Sequence, residues 1–272
     1  MQGRLSKQHN NKIQNFPIDS WRKEFETAMY CELETIEWIF DEIQPNPILT
    51  SEGISEINQL MKKNNISINS ICADYFMNKK LFEESEIEIE KNVEILKKLI
   101  LQATKLEISM IEIPLVDSSS LKTDENKNQI INSLEKVSSL AEKNSVNIVL
   151  ETDLNPNDFR EFLISFNHPC IFANYDSGNS ASLGYNVNEE LIILKKWIKN
   201  VHVKDRRFKG GTVPLGTGDT NFVQFFSTLN KIEYSDDLII QGARFNENEV
   251  TPEQTCKTYQ KFVKEYVDNF YT

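Results

Sequence analysis

Four apolar runs of β character each close on a polar side chain that can bind a metal or carry a proton. They are NIVLETD (147–153) with Glu151, IFANYD (171–176) with Asp176, NVHVKD (200–205) with His202, and DLIIQGAR (237–244) with Gln241. Helical-looking segments separate the runs, so they read as successive parallel strands of a βα repeat. Parallel strands closed into a barrel bring their C-terminal ends to one mouth. Two carboxylates, an imidazole and an amide oxygen gathered there suit an oxygen-preferring divalent ion with positions left open for a substrate. Taken singly, a strand-terminal Glu or Asp is often the N-cap of the next helix. Four on consecutive strands point instead to a shared site.

The same alternation runs through the rest of the chain. A helix over 19–31 carries Trp21, Phe25 and Ala28 at helical spacing and leads into a β-like run, ELETIEWIF (32–40). Ile54, Ile57, Leu60 and Met61 share one face of a helix over 51–64, followed by a strand over 67–76. Ile89, Val93, Leu96, Ile100 and Ala103 form the most regular apolar stripe, and ISMIEIPLV (108–116) is its strand partner. A helix over 125–143 precedes the strand that ends near Glu151. Asn155-Pro156 and Thr251-Pro252 read as N-caps with proline at the first helical position, and Gln254 completes a capping box. This gives seven strands, each followed by a helix. The eighth must come from MQGRLS at the N-terminus, which is a poor strand.

A chain of 272 residues fits one such α/β barrel as a single domain over 1–272. The strands are apolar enough to need cover on both faces. A doubly wound open sheet is the competing architecture, but its Gly-rich first turn is missing. The net charge of −11 argues against a nucleic-acid partner. Cys31, Cys72, Cys170 and Cys256 form no CxxC pair and read as reduced thiols. No apolar run is long enough to span a membrane, and MQGRLSKQHNNK has no signal-peptide core. The expectation is a cytoplasmic protein without a membrane partner. The helices single out no oligomer face.

Glu151 is the leading catalytic residue. A carboxylate at a metal can hold the ion and also remove a substrate proton, while the metal stabilises the resulting enediolate. Asp176 opens YDSGNSASLGYN (175–186), read as a Gly/Ser/Asn-rich loop. His202 alternates with Val201 and Val203, so its side chain faces away from theirs. Lys204, Arg206, Arg207 and Lys209 form a basic cluster beside a loop with four glycines. Lys209 reads as solvated. Either arginine suits a phosphate or carboxylate, and the sequence leaves open which one faces the site. Arg4, Glu37, Asp74 and Arg244, near strand ends, are further candidates for substrate hydroxyls. Three oxygen ligands favour Mn²⁺ or Mg²⁺, with Zn²⁺ as the third candidate.

The pieces LET (150–152), YDSGN (175–179), NVHVKD (200–205), PLGTGD (214–219) and the closing strand with Gln241 together resemble one superfamily. It is the xylose-isomerase-like TIM (β/α)8 barrels, the sugar phosphate isomerases and epimerases together with the DNA-repair endonucleases of AP endonuclease family 2 type. The resemblance covers essentially the whole chain. MQGRL, CADYF and VHVKDR are similar to a subgroup found among bacterial surface-polysaccharide genes.

The resemblance implies metal ligands Glu151, Asp176, His202 and Gln241 and a small carbohydrate substrate. The chain departs from the ketose 3-epimerases of that superfamily in three places. Gln241 replaces a last-strand Glu that serves there as ligand and second base; an amide keeps a metal-binding oxygen but takes no proton. Asn179 stands where they carry a substrate-binding His. The first strand lacks its usual preceding apolar residues, so the barrel is expected to be incompletely closed on that side. Loss of the second carboxylate suggests one-base aldose–ketose isomerisation through Glu151, with Asp74 or Lys204 as alternative second groups. It also supports a second reading, a non-catalytic sugar-binding barrel. The endonuclease reading is weaker, because those enzymes bind three metals with many histidines and this chain has only His9, His168 and His202.

Overall fold

The computed structural model describes residues 1–8, 14–166 and 168–271, so His9 lies outside the described residues. Seven strands form one parallel sheet in sequence order: β1 Thr35–Ile39, β2 Ser67–Cys72, β3 Met110–Leu115, β4 Asn147–Thr152, β5 Ile171–Asp176, β6 Ile198–Val203 and β7 Leu238–Ile240. Around them lie α1 Trp21–Tyr30, α2 Ser51–Asn64, α3 Tyr75–Asn78, α4 Glu86–Lys105 and α5 Asp124–Lys143. The later helices are α6 Pro156–Ser165, α7 Ser177–Leu183, α8 Val187–Leu194, α9 Phe222–Lys231 and α10 Pro252–Phe270. β1 and β3 are buried along their whole length, as expected of strands with helices outside and a packed barrel inside. No helix among the described residues is long and apolar enough to cross a membrane.

Local signals place most of these boundaries. On α4, Val93, Leu96, Ile100 and Ala103 are fully buried, and the Ser85 hydroxyl caps the first turn by accepting from Glu88 N. Asn155 caps α6 through the amides of Asn157 and Asp158, with Pro156 as its first residue. Thr251 and Gln254 form the reciprocal capping box of α10, at 2.8 and 3.3 Å.

Three expectations need correction. The strand read over 67–76 stops at Cys72, and the chain turns into the short helix α3. The run at 237–244 pairs only over Leu238–Ile240, so Gln241 sits just past its strand. The loop read at 175–186 is largely helix α7. Its residues are weak helix formers. Tertiary packing decides here: Asp176 caps the helix, and Gly178 lies against Lys204, where a Cβ would come within 2.7 Å of Lys204 Cγ.

The N-terminal segment fills the eighth position with a single bridge. Gln2 pairs with Glu37 of β1 and donates its amide to Ile240 O of β7 at 3.1 Å. Glu37 N donates to Met1 O at 3.1 Å. Two arginines then fasten the seam. Arg4 Nε donates to Gly242 O at 2.7 Å, and Arg244 donates to Ser6 O at 2.8 Å and to Gly3 O. Both had been candidates for substrate hydroxyls; instead they saturate backbone carbonyls where ladder hydrogen bonds run out. Burial and the neighbouring Arg244 lower the Arg4 guanidinium to about 10. Replacing Arg244 by Ala is expected to cost about 1.5–3 kcal/mol of unfolding free energy, the range for hydrogen bonds from a charged donor. A urea midpoint unchanged from the parent would show that the seam does not depend on it.

Candidate active site

Strand register assembles the site. β5 and β6 pair with Asp176 opposite His202, and β3 pairs with β4 so that Pro114 faces Glu151. One ligand atom each from Glu151, Asp176 and His202 lies within 4.8 Å of the others, and all three residues are buried. His202 Nδ1 is 3.3 Å from Glu151 Oε2 and 3.8 Å from Asp176 Oδ2.

Glu37, proposed for substrate hydroxyls, is buried and is not among the residues that line the adjoining cavity. It lies beneath His202, with Oε2 at 2.9 Å from Nε2, and it accepts from Ser70 Oγ at 2.7 Å and Asn200 Nδ2 at 2.9 Å. Held on Nε2, the ring turns Nδ1 toward the two carboxylates, the arrangement in which an outer carboxylate orients a metal-binding histidine. Burial alone would lower the His202 pKa. The charge of Glu37 and hydrogen bonds to Asp176, Glu151 and Glu37 outweigh it and push the pKa well above the usual histidine range. A cation at Nδ1 would displace that proton and take over its electrostatic role.

Asp176 combines both readings of a strand-terminal carboxylate. Its Oδ1 accepts from Gly178 N and Asn179 N, both at 2.8 Å, and so caps α7. Its Oδ2 faces His202 and lies 3.2 Å from Lys204 Nζ. Burial would raise its pKa, but Lys204 and His202 prevail and hold it at about 2. Glu151 makes no capping bond among the described residues. Asn174 Nδ2 donates to its Oε2 at 2.6 Å, and Asn179 Nδ2 donates to its Oε1. Asn179 is fixed in turn by Arg206, whose Nη1 donates to its carbonyl at 2.7 Å. Gln241 donates to Gln2 Oε1, while its own carbonyl oxygen is buried without a hydrogen-bond partner among the described residues. An orphaned buried acceptor beside two carboxylates and an imidazole fits an oxygen-seeking cation.

Beside these residues opens a cavity of about 490 Å³ whose wall includes Glu151, His202, Gln241, Asp74, Lys204 and Arg206. The structure separates the two arginines. Arg206 lines the cavity, tied to Asn179 and, through Nε and Nη2, to Gly210 O. Arg207 points outward, its side chain 57% exposed and 4.0 Å from Asp219. Loop geometry produces this split: Arg206 bridges to Thr212 in a short antiparallel pair, which turns its neighbour to solvent.

Sequence reasoning missed several contributors. Glu112, inside β3, lines the cavity floor fully buried, and neither carboxyl oxygen meets a well-formed hydrogen-bond donor among the described residues. Burial, then the charge of Glu151, pushes its pKa far up. A lone carboxylate within ISMIEIPLV was the available signal. Asp205, fully buried, accepts from Gly216 N, Gly218 N and Thr220 N at 2.7–3.1 Å and shapes the loop after β6. A Cβ on Gly218 would meet its Oδ1 at 2.1 Å, which explains that glycine. His168 lies far from the mouth, beside Cys170 and Glu142.

With this geometry in place, the chain is assigned by comparison. Residues 27–265 match the model of the xylose isomerase-like TIM barrel family, and the chain belongs to that family. It is 26% identical over 238 residues to a putative L-ribulose-5-phosphate 3-epimerase of Haemophilus influenzae, covering 82% of this chain and 83% of the relative. A xylose isomerase domain protein from Planctomyces limnophilus superposes with a TM-score of 0.77 at 16% identity, covering 90% of this chain and 93% of that one. A D-allulose 3-epimerase from Methylomonas sp., solved with D-allulose, gives 0.74 at 15% identity, covering 93% of each chain.

Glu37→Gln removes the charge that orients His202 and is expected to weaken Mn²⁺ binding by about 10–100-fold with the fold retained. Titration calorimetry giving the parent affinity would remove Glu37 from that role.

Proposed function

We propose that the chain is a divalent-metal-dependent epimerase or isomerase of a small sugar or sugar phosphate. One observation carries this: ligand atoms of Glu151, Asp176 and His202 converge within 4.8 Å of one another, and Glu151 and His202 line a cavity of about 490 Å³, room enough for a monosaccharide. Family membership and the 3-epimerase name of the Haemophilus relative support it. Glu151, Asp176, His202 Nδ1 and the Gln241 carbonyl would hold the ion, with Mn²⁺ or Mg²⁺ favoured by the oxygen donors. When bound, it would polarise the sugar carbonyl and stabilise the enediolate left by proton loss.

The chain's own residues do the rest. Glu151 takes the proton from the carbon beside the carbonyl, its carboxylate aimed by Asn174 and Asn179. Lys204 and Arg206 put two cations on the cavity wall, which suits a phosphate or an oxygen-rich edge of the sugar. The 3-epimerase names of the relatives favour epimerisation over the one-base isomerisation that Gln241 suggests. Gln241 also favours a second reading, a sugar-binding barrel without turnover, because an amide cannot serve as the second base.

Solvent exchange separates the two. In D₂O with Mn²⁺, the parent is expected to place deuterium on the carbon next to the carbonyl of D-allulose or L-ribulose 5-phosphate. Glu151→Gln should abolish this and melt like the parent. Sugar binding without exchange by the parent would establish the non-catalytic reading.

A further inference from the structure

An epimerase that works through an enediolate needs a proton acceptor on one face of the sugar and a donor on the other, and Gln241 cannot supply the second. We infer that Asp74 is that second proton-transfer group. This rests on the epimerase reading above and deepens it.

Position is the first ground. Asp74 follows β2, is half-buried, and lines the same cavity as Glu151. Its Oδ2 accepts from Gln14 Nε2 at 2.6 Å, and the Gln14 carbonyl oxygen lies 3.4 Å from Gln241 Nε2 and 3.3 Å from Arg4 Nη1. One glutamine therefore ties the Asp74 carboxyl to the side of the mouth where β7, the N-terminal segment and β1 meet. β4, which carries Glu151, lies across the barrel from that seam. Asp74 and Glu151 thus line one cavity from two different strands, β2 and β4.

A comparison with Lys204 and Glu112 is the second ground. Lys204 Nζ is paired with Asp176 at 3.2 Å, and on the cavity wall it serves the binding role given to it above. Glu112 also lines the cavity, but it is fully buried within β3 and neither carboxyl oxygen has a hydrogen-bond partner among the described residues to hold it in place. Asp74 alone among these three combines a carboxyl, access to the cavity and hydrogen bonds that hold it in place, the other bond being from Cys72 Sγ at 3.3 Å. Its acidity suits the task. Burial pushes the carboxyl up to about 6 against the opposing bonds of Gln14 and Cys72, so both protonation states are accessible near neutrality.

The step balances without a further reactant. Glu151 removes the proton from the carbon next to the ketone. The C–H electron pair becomes the enediolate double bond, and the carbonyl oxygen takes the negative charge. Protonated Asp74 then delivers its proton to the other face of that carbon, the ketone re-forms, and the configuration is inverted. Glu151 ends protonated and Asp74 ionised, and exchange with water restores both.

The test uses Mn²⁺-loaded full-length protein with D-allulose and L-ribulose 5-phosphate in D₂O, followed by NMR. Parent protein should give inverted product carrying deuterium. Asp74→Asn should lose about 10²–10⁴-fold in inversion, the span of one acid–base group. It should still return deuterium to the uninverted sugar through Glu151 and bind the sugar with parent affinity by calorimetry. Asp74→Glu should recover part of the inversion, which separates lost chemistry from a damaged fold. Inversion by Asp74→Asn at the parent rate would overturn the assignment, as would joint loss of exchange and inversion in folded, sugar-binding protein. A parent that exchanges no deuterium into either sugar would fail earlier, at the epimerase reading itself.

Discussion

The contact between Glu37 and His202 at the barrel's centre is what the remaining geometry depends on. Both groups are essentially inaccessible to water, and burying charge is costly unless each charge meets a partner. The imidazole meets Glu37 on one nitrogen and the Glu151 and Asp176 carboxylates on the other. Asn200 and Ser70 occupy the remaining side of Glu37, and Asn174 occupies the remaining side of Glu151. The interior polar residues of β1, β2, β4, β5 and β6 thus form one network. A strand slipped by one residue would turn its member of the network out of the barrel. The network therefore fixes register while it builds the site.

Two extensions carry that order to the cavity wall. On one side Arg206 fixes Asn179, and Asn179 aims Glu151, so a loop arginine acts on the carboxylate without touching it. On the other, Gln2, Gln241 and Gln14 link the barrel seam to Asp74. An amide just past the last strand suits this second chain. It donates to Gln2 and Gln14 while its carbonyl oxygen stays free for a cation, a combination that an ionised carboxylate cannot provide.

What the sequence made legible follows from periodicity. Glu151, Asp176 and His202 were readable because each sits at the end of a strand whose apolar alternation assigns its face. Asn155, Thr251 and Gln254 were readable because capping chemistry is local. Glu112, Asn174 and Asn200 were not, and Glu37 was picked out only as a contact for substrate hydroxyls, because a polar residue inside a strand acquires meaning only from neighbouring strands. The same limit produced the errors. Arg4 and Arg244 looked like site residues until the seam showed which carbonyls they hold. Arg206 and Arg207 separate only through the fold of the loop after β6. Helix α7 forms from weak helix formers because Asp176 and Lys204 require its close packing.

The central claim, that these residues form one cation site oriented by Glu37, is tested most directly by anomalous scattering from Mn²⁺-loaded crystals. The expected result is a single ion at roughly 2.0–2.4 Å from Glu151, Asp176, His202 Nδ1 and the Gln241 carbonyl oxygen. An ion bound elsewhere, or none with manganese at millimolar concentration, would contradict it.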